Sequence, residues 1–317
     1  LIISLRQNII WSLLIPGINE SFKLKANFNF ALVCLSLPIT ALAGVISAYF
    51  NSISKFRLGA SGTLFFNGGI ILGLLINIPI LWRITIGVLI GCSARLIFQL
   101  FFLDLFNNQR GVFSKGLITK ELLKQFLFNF SFVTALILMP TIGRSWASTI
   151  SEGSLTLFSY SSKLIELPLG IIIGSLTTVF ITKLSKDIST QNIVKSIRIV
   201  FLISFLITIP ALIFTPFIVK IVYFKGNFNE TQLESLISIT RIGYAFLIPQ
   251  SLLSLFSTIF AASKRQKISA PIGLLMILLL NSLAYFASNN NSLEQIMYSY
   301  GYTFLIGSII LYFLLNK

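Results

Sequence analysis

The sequence predicts an all-α protein that crosses a membrane many times. Three observations predict this class. The residues are 55% hydrophobic and only 10% charged, whereas soluble domains carry roughly 25% charged residues. Runs of about 20 apolar residues, the length of a membrane-spanning helix, recur along the whole chain. Basic residues cluster between these runs. A packed soluble enzyme is a poor match to this composition.

The apolar runs define nine complete candidate spans after a partial one in residues 1–16, which ends at Pro16-Gly17. Because the chain begins at Leu1 rather than Met, we expect it to start inside a longer protein. The spans are predicted at about residues 28–50, 61–80, 84–104, 123–143, 154–182, 199–219, 235–262, 269–287 and 295–315. Short links between them predict that neighbouring spans are antiparallel.

The net charge of +15, from 24 Lys and Arg against 9 Asp and Glu, would suggest nucleic acid in a soluble protein. Here most basic residues lie between spans, as the positive-inside rule explains, so we expect no nucleic-acid partner. One alternate set of loops holds fourteen of them and is predicted to be cytoplasmic: Lys55, Arg57, Arg110, Lys115, Lys120, Lys124, Lys183, Lys186, Lys195, Arg198, Lys264, Arg265, Lys267 and Lys317. The opposite set holds six: Lys23, Lys25, Arg83, Arg144, Lys220 and Lys225.

The residue types disfavour catalysis. The chain has no histidine, which excludes His nucleophile pairs, His metal ligands and His proton relays. Its nine acidic residues are scattered, so closely spaced aspartates that could hold magnesium do not occur. Cys34 and Cys92 both lie in apolar spans and are interpreted as small core residues. We therefore predict a protein that is not an enzyme and needs no metal or other cofactor.

Glycines and prolines punctuate the spans. Three pairs fit small-xxx-small helix contacts: Gly69 with Gly73, Gly87 with Gly91, and Gly170 with Gly174. Pro38, Pro140, Pro168, Pro210 and Pro249 lie within or near spans and predict bent helices. Bent helices suit a transporter that rocks between two states, although a static bundle could carry the same prolines.

The span at 154–182 contains two ionisable residues, Lys163 and Glu166. Charged groups at that depth cost about 2.5–3.5 kcal/mol each on insertion scales, so they normally face a wet cavity or a partner. Their spacing places both on one face of a helix, and Pro168 just beyond them favours a kink. One interpretation is a snorkelling lysine paired with its own neighbour. We favour the other, in which Lys163 is a cationic point on a substrate pathway.

Three further cations are candidates for the same role. Arg95 and Arg241 lie within spans, and Arg144 lies at a span end. Cations that outnumber acids in a membrane require an anion, and a lipid pyrophosphate is an abundant one. Arg95 could instead snorkel or pair with Asp104, and Arg241 could snorkel outward. The candidate substrate-binding residues are Lys163, Arg144, Glu166, Arg241 and Arg95.

Four ordered segments carry a family resemblance. They are Gly44-Val-Ile-Ser-Ala-Tyr-Phe-Asn51-Ser-Ile-Ser-Lys55-Phe56; the stretch from Gly153-Ser154 through Tyr160-Ser-Ser-Lys163-Leu-Ile-Glu166-Leu-Pro168-Leu-Gly170 to Lys183-Leu-Ser185; Tyr223-Phe-Lys-Gly226-Asn-Phe228; and Phe260-Ala-Ala-Ser-Lys-Arg-Gln-Lys-Ile-Ser-Ala-Pro271. Together they resemble the MurJ (MviN) family of lipid II flippases. The stretch around Lys163 resembles the eighth transmembrane helix of that family.

The resemblance implies a two-lobe, fourteen-helix fold of the MOP exporter superfamily, of which this chain covers roughly helices three to twelve. Residues 1–106 would belong to the N-terminal lobe, 107–124 to a cytoplasmic inter-lobe loop and 125–317 to the C-terminal lobe. It also implies a multi-pass protein of the bacterial cytoplasmic (inner) membrane. The implied activity is translocation of undecaprenyl-pyrophosphate-linked lipid II, the peptidoglycan precursor, by alternating access. The implied partners are this substrate, membrane lipids and cell-wall synthesis proteins.

One departure from the family pattern keeps alternatives open. The family's Asp-Arg pair falls on Ser162-Lys163, which keeps a cation but loses the acid and the bidentate fork of arginine. The first alternative is therefore a flippase for another lipid-linked oligosaccharide. The second is a non-transporting membrane scaffold for cell-wall enzymes.

Overall fold

A computed structural model describes residues 11–12, 14–17, 20–53, 55–103, 120–186, 189–223 and 228–315, with the side chains at 52, 121, 122, 125, 129 and 171–186 outside the description. All regular structure in these residues is helical. Most of the predicted partial span, most of the predicted inter-lobe loop, and Lys225 and Lys317 lie outside the described residues. Lys183 and Lys186 lie in α7, and their side chains are outside the description.

Twelve helices occur in this part of the chain. They are α1 (Glu20–Cys34), α2 (Ser36–Ser52), α3 (Phe56–Ala60), α4 (Gly62–Leu75), α5 (Ile80–Phe101), α6 (Lys120–Ala147), α7 (Ser154–Lys186), α8 (Thr190–Tyr223), α9 (Glu230–Ala245), α10 (Leu247–Ala262), α11 (Gln266–Asn289) and α12 (Leu293–Leu315).

Each predicted span coincides with one of these helices or with consecutive helices. By length and apolar composition, seven can cross a membrane, and an eighth can when the bent pair α9–α10 counts as one span. The ninth is α7, which carries Lys163 and Glu166 in its first half and is not among those eight. The all-helical, polytopic prediction is confirmed, with seven or eight clear spans in the described residues rather than nine.

The chain divides into two compact units. The first unit comprises residues 1–11 and 18–117, and the second unit comprises residues 12–17 and 118–317. Residues 120–124, expected in the inter-lobe loop, are the first residues of α6. The assignment of 1–106 and 125–317 to two transporter lobes stays a prediction.

In the first unit, glycines bring α4 and α5 into close backbone contact. A Cβ added to Gly69 would lie 2.4 Å from Cα of Gly91, and one added to Gly73 would lie 2.6 Å from Cα of Gly87. Two small-xxx-small motifs therefore face each other, which confirms their prediction as helix contacts. A Cβ added to Gly170 of α7 would meet no described atom within 4 Å, so Gly170 makes no such close contact there.

Prolines explain where two spans break. A proline has no N–H for the carbonyl four residues earlier, so the helix tends to end just before it. Pro38 lies in the first turn of α2, and the α1–α2 break is at Leu35. Pro249 lies in the first turn of α10, and the 46° bend between α9 and α10 is at Phe246. The predicted span 235–262 is thus a bent pair of helices.

The second unit has one continuous hydrophobic core. It includes Phe132 and Met139 of α6, Phe158 of α7, Leu236 of α9 and Met276 of α11, each at most 1% exposed. Trp146 of α6 donates its indole N–H to Asn281 Oδ1 of α11 at 3.1 Å. This bond joins α6 to α11, and the shared core includes residues of both α6 and α7. In the first unit Cys92 is buried, as predicted, whereas Cys34 is half-buried.

Candidate substrate site in the second unit

Arg144, Lys163 and Glu166 meet at one site between α6 and α7. Lys163 Nζ lies 2.5 Å from Glu166 Oε2, and Arg144 Nη2 lies 3.5 Å from Glu166 Oε1. One carboxylate therefore bridges two cations and leaves a local charge of +1. The side chains are 29% exposed for Arg144, 41% for Glu166 and 64% for Lys163, so the site is open to a ligand.

Local packing holds Arg144 at this site. Arg144 lies in the last turn of α6, where the helix dipole favours a cation. The preceding residue, Gly143, has no side chain, which leaves room for the buried Phe158 ring: a Cβ on Gly143 would lie 2.5 Å from Phe158 Cζ. Arg144 Nε is buried and has no hydrogen-bond partner among the described residues. The guanidinium therefore has unused donor capacity.

The turn before α7 and the proline within it set the position of Lys163 and Glu166. Gly153, with φ +91°, makes the left-handed turn that starts α7. Pro168 leaves the carbonyl of Leu164 without its helical donor. Tyr244 of α9 supplies a replacement, since its Oη donates to Leu164 O at 3.3 Å. This bond ties α9 to α7 one residue after Lys163.

Two further contacts support the same region. Ile165 of α7 packs against Gly243 of α9, where an added Cβ would lie 2.0 Å from Ile165 Cδ1. Tyr300 of α12 is buried, packs edge-on against Phe158 at 6.2 Å between ring centroids, and lies within electrostatic range of Glu166 and Arg144. Residues from four helices thus surround the three charges.

The structure does not bring Arg241 to this site. Arg241, on the exposed face of α9, lines a separate cavity of about 440 Å³. Its lining contains none of Arg144, Lys163 and Glu166. Gly243, two residues further along α9, faces α7, so Arg241 points roughly the opposite way.

Arg95 belongs to the first unit. Its Nη2 donates to Ser47 Oγ at 3.0 Å, and Gln99 Nε2 donates to the same oxygen at 2.7 Å. The guanidinium packs on Gly62, whose added Cβ would lie 2.4 Å from Arg95 Nε. Arg95 makes no ion pair among the described residues, and Asp104, its alternative partner, lies outside them. A substrate-binding role for Arg95 stays a prediction.

Sequence reasoning missed Gly143, Phe158, Gly243, Tyr244 and Tyr300. Pro168 predicts that some side chain donates to the carbonyl four residues earlier, because a proline inside a helix leaves that carbonyl without its backbone donor. Tyr244 is that side chain. Nothing in the sequence identifies which helix supplies that donor. In the described residues, no group of three or more His, Cys, Asp or Glu side chains could hold a metal ion.

Long apolar helices, proline breaks within spans and a cluster of charges inside a helical unit define a polytopic helical membrane protein. Solved structures share this fold. The chain superposes on a lipid II flippase MurJ in an inward closed conformation with a TM-score of 0.83 at 18% identity, over 100% of this chain and 68% of that one. It superposes on an inward-facing multidrug resistance MATE family transporter of the MOP superfamily with a TM-score of 0.75 at 14% identity, covering 99% and 76% of the two chains.

The family follows from the sequence comparisons. A sequence model described as "Lipid II flippase MurJ" matches residues 1–317. The chain belongs to this family, whose members are multi-pass proteins of the bacterial inner membrane. It is 28% identical over 281 residues to a probable lipid II flippase MurJ of Aquifex aeolicus, covering 84% of this chain and 55% of that protein. It is 26% identical over 253 residues to one of Treponema pallidum, covering 71% and 47%. The chain thus spans about half the length of these curated relatives.

Proposed function

We propose that the protein translocates lipid II across the bacterial inner membrane by alternating access, and that Lys163 and Arg144 bind its pyrophosphate. The observation that carries this proposal is the bridging carboxylate of Glu166, which holds two cations from different helices around one point. Two cations that share one carboxylate suit the two phosphates of a pyrophosphate. The step is binding and movement, without covalent chemistry.

Glu166 acts in this proposal as an internal substitute for the substrate. With the site empty, its carboxylate neutralises part of the charge that Lys163 and Arg144 bring into the membrane. An arriving pyrophosphate competes for the same donors and displaces the carboxylate from them. When the substrate leaves, Glu166 returns to both cations, which favours release.

A lipid-linked oligosaccharide other than lipid II is the second candidate. The observation that favours it is the position of Ser162, which stands where the family has an aspartate. Ser162 is buried, and its Oγ donates to the Phe158 carbonyl at 2.8 Å, so it faces away from the charges. The acid next to the cation is Glu166 instead, which changes the shape of the site. Cell-wall synthesis proteins are the protein partners we propose under either substrate.

The deciding experiment is rescue of a strain depleted of its lipid II flippase by the gene that encodes this chain. Rescue that is lost in Lys163→Ala and Arg144→Ala, at unchanged membrane expression, supports lipid II transport through this site. Failure of the unmodified gene to rescue that strain, with rescue of a strain lacking another lipid-linked sugar flippase, favours the second candidate. Full rescue by both alanine variants would exclude the site.

A further inference from the structure

The cavity that contains Arg241 is lined by charges of both signs. Glu234, Ser238 and Arg241 come from one face of α9, and Glu294 and Tyr298 come from α12, with Leu212 of α8 completing the wall. Ser238 Oγ donates to the Glu294 carboxylate and holds it in place. At about 440 Å³, the cavity falls in the size range of small-ligand sites.

Arg241 makes no ion pair with the glutamates that line this cavity. Among the described residues it makes no ion pair within 4.0 Å, although it lies in the membrane-spanning pair α9–α10. A cation at that position is costly unless an anion or water reaches it. Since side chains on a helix lean toward its N-terminus, the guanidinium is directed toward the end of α9 that holds Glu234.

The charges are ordered by depth. Glu294 lies in the first turn of α12 and Glu234 lies in the second turn of α9, near the ends that the positive-inside rule places outside. Arg241 lies seven residues further along α9, or roughly 10 Å deeper at 1.5 Å per residue. A ligand that fits this order has an anionic group deeper in the membrane and a cationic group nearer the outer surface.

The surroundings of the cavity are apolar and exposed. Beside Leu212, α8 exposes a row of large hydrophobic side chains: Ile209, Ile213 and Phe217 are 43%, 65% and 63% exposed. On α12, Tyr298 lies two residues and roughly 200° round the helix from Tyr300. Tyr300 packs on Phe158, which in turn lies against Gly143 next to Arg144. The cavity therefore opens on a different face of the second unit from the proposed pyrophosphate site.

We propose that this cavity binds the head group of a zwitterionic aminophospholipid from the outer leaflet. In such a lipid the phosphate adjoins the glycerol and the primary amine lies beyond it, which matches the depth order of Arg241 and the two glutamates. Arg241 binds the phosphate, Glu234 and Glu294 accept N–H bonds from the amine, and the acyl chains lie along α8. An anionic lipid without the amine binds less well, because it places no cation beside the carboxylates of Glu234 and Glu294. The site does not depend on the proposed transport function.

Native mass spectrometry of the purified protein, titrated separately with dioleoyl phosphatidylethanolamine, phosphatidylcholine and phosphatidylglycerol, tests the proposal. We expect one phosphatidylethanolamine to bind about tenfold more tightly than the other two, because a charge-assisted hydrogen bond is worth about that factor. Arg241→Gln should lower the affinity for phosphatidylethanolamine by a similar factor. Glu234→Gln with Glu294→Gln abolishes the preference over phosphatidylglycerol. Arg198→Gln, which changes an exposed arginine elsewhere on α8, is the matched control and leaves binding unchanged.

Three results would overturn the proposal. Equal binding of phosphatidylcholine, whose quaternary ammonium has no N–H, would exclude recognition of a primary amine. Tighter binding of phosphatidylglycerol would make this an anionic-lipid site. Unchanged phosphatidylethanolamine binding by Arg241→Gln, in a variant that elutes as a folded protein, would exclude the cavity. Loss of transport in Lys163→Ala, with lipid binding intact, separates this site from the transport site.

Discussion

The guanidinium of Arg144 reaches the carboxylate of Glu166 across the interface of α6 and α7, with 3.5 Å between Nη2 and Oε1. This pair joins the end of one helix to the middle of the next. Lys163, one turn before Glu166 on α7, binds the second oxygen of the same carboxylate. Because neither cation pairs with another carboxylate in the described part of the chain, a change at Glu166 acts on both.

Replacement of Glu166 by glutamine should increase affinity for a pyrophosphate lipid. The substitution removes the competitor for two part-exposed cations, and such pairs are worth about 0.2–1 kcal/mol each, so the gain is roughly two- to thirtyfold. Binding of undecaprenyl pyrophosphate to the purified variant measures it. Glu152→Gln, an exposed acid in the turn before α7, serves as the control. Weaker binding by Glu166→Gln would contradict the role of Glu166 as a substitute anion.

Tyr244→Phe should destabilise the second unit by about 1–3 kcal/mol, because it leaves the buried Leu164 carbonyl without a donor. Thermal unfolding in detergent measures the loss. The loss should shrink in a Pro168→Ala background, where the backbone N–H of residue 168 can satisfy that carbonyl again. Tyr302→Phe, at an exposed tyrosine on α12, is the control. Equal losses in both backgrounds would show that the Tyr244 hydroxyl does not compensate for Pro168.

Gly69→Ala should separate α4 from α5. Its Cβ would meet backbone atoms of Gly91 rather than a movable side chain, and overpacking of this kind costs about 1–3 kcal/mol. The neighbouring Gly68→Ala is a matched control, since its Cβ meets nothing within 4 Å. Limited proteolysis of the two variants should reveal a difference confined to the first unit. Similar stability of both alanine variants would argue against the close contact of α4 and α5 at Gly69.

Lys163→Arg should retain or increase transport, because arginine offers phosphate a bidentate fork where lysine is a point charge. Ser162→Asp, which restores the family's acid, should instead lower protein yield and stability. Ser162 is 4% exposed, and a carboxylate there would be buried without a partner. Complementation together with membrane abundance distinguishes the two effects. A fully active, abundant Ser162→Asp variant would show that α7 can rotate to expose this position.

The sequence predicts most of the helices because apolar runs long enough to span a membrane are a strong, local signal. The charges at Lys163, Glu166 and Arg144 were also predictable, because ionisable residues are rare at that depth. Their arrangement was not. The spacing of Lys163 and Glu166 predicts their contact, whereas the contact of Arg144 with Glu166 depends on how α6 packs against α7.

Arg241 shows a second reason why part of the site escaped prediction. Arg241 lies about as far inside its predicted span as Lys163 does. The direction of its side chain, however, depends on which face of the helix is packed against neighbours. Gly243 faces α7, and this places Arg241 on the other side of α9. When a helix packs on several neighbours, hydrophobic periodicity alone does not predict which way a given side chain points.

The bridging carboxylate has a consequence for the electrical work of the proposed cycle. The site carries +1 when empty and, with the two ionised groups of a pyrophosphate diester bound, −1. Across an inside-negative membrane, outward movement of the loaded site and inward return of the empty site are then both downhill, by up to about 2.3 kcal/mol per charge for each 100 mV crossed. Without Glu166 the loaded site would be neutral, and the outward stroke would gain nothing from the voltage.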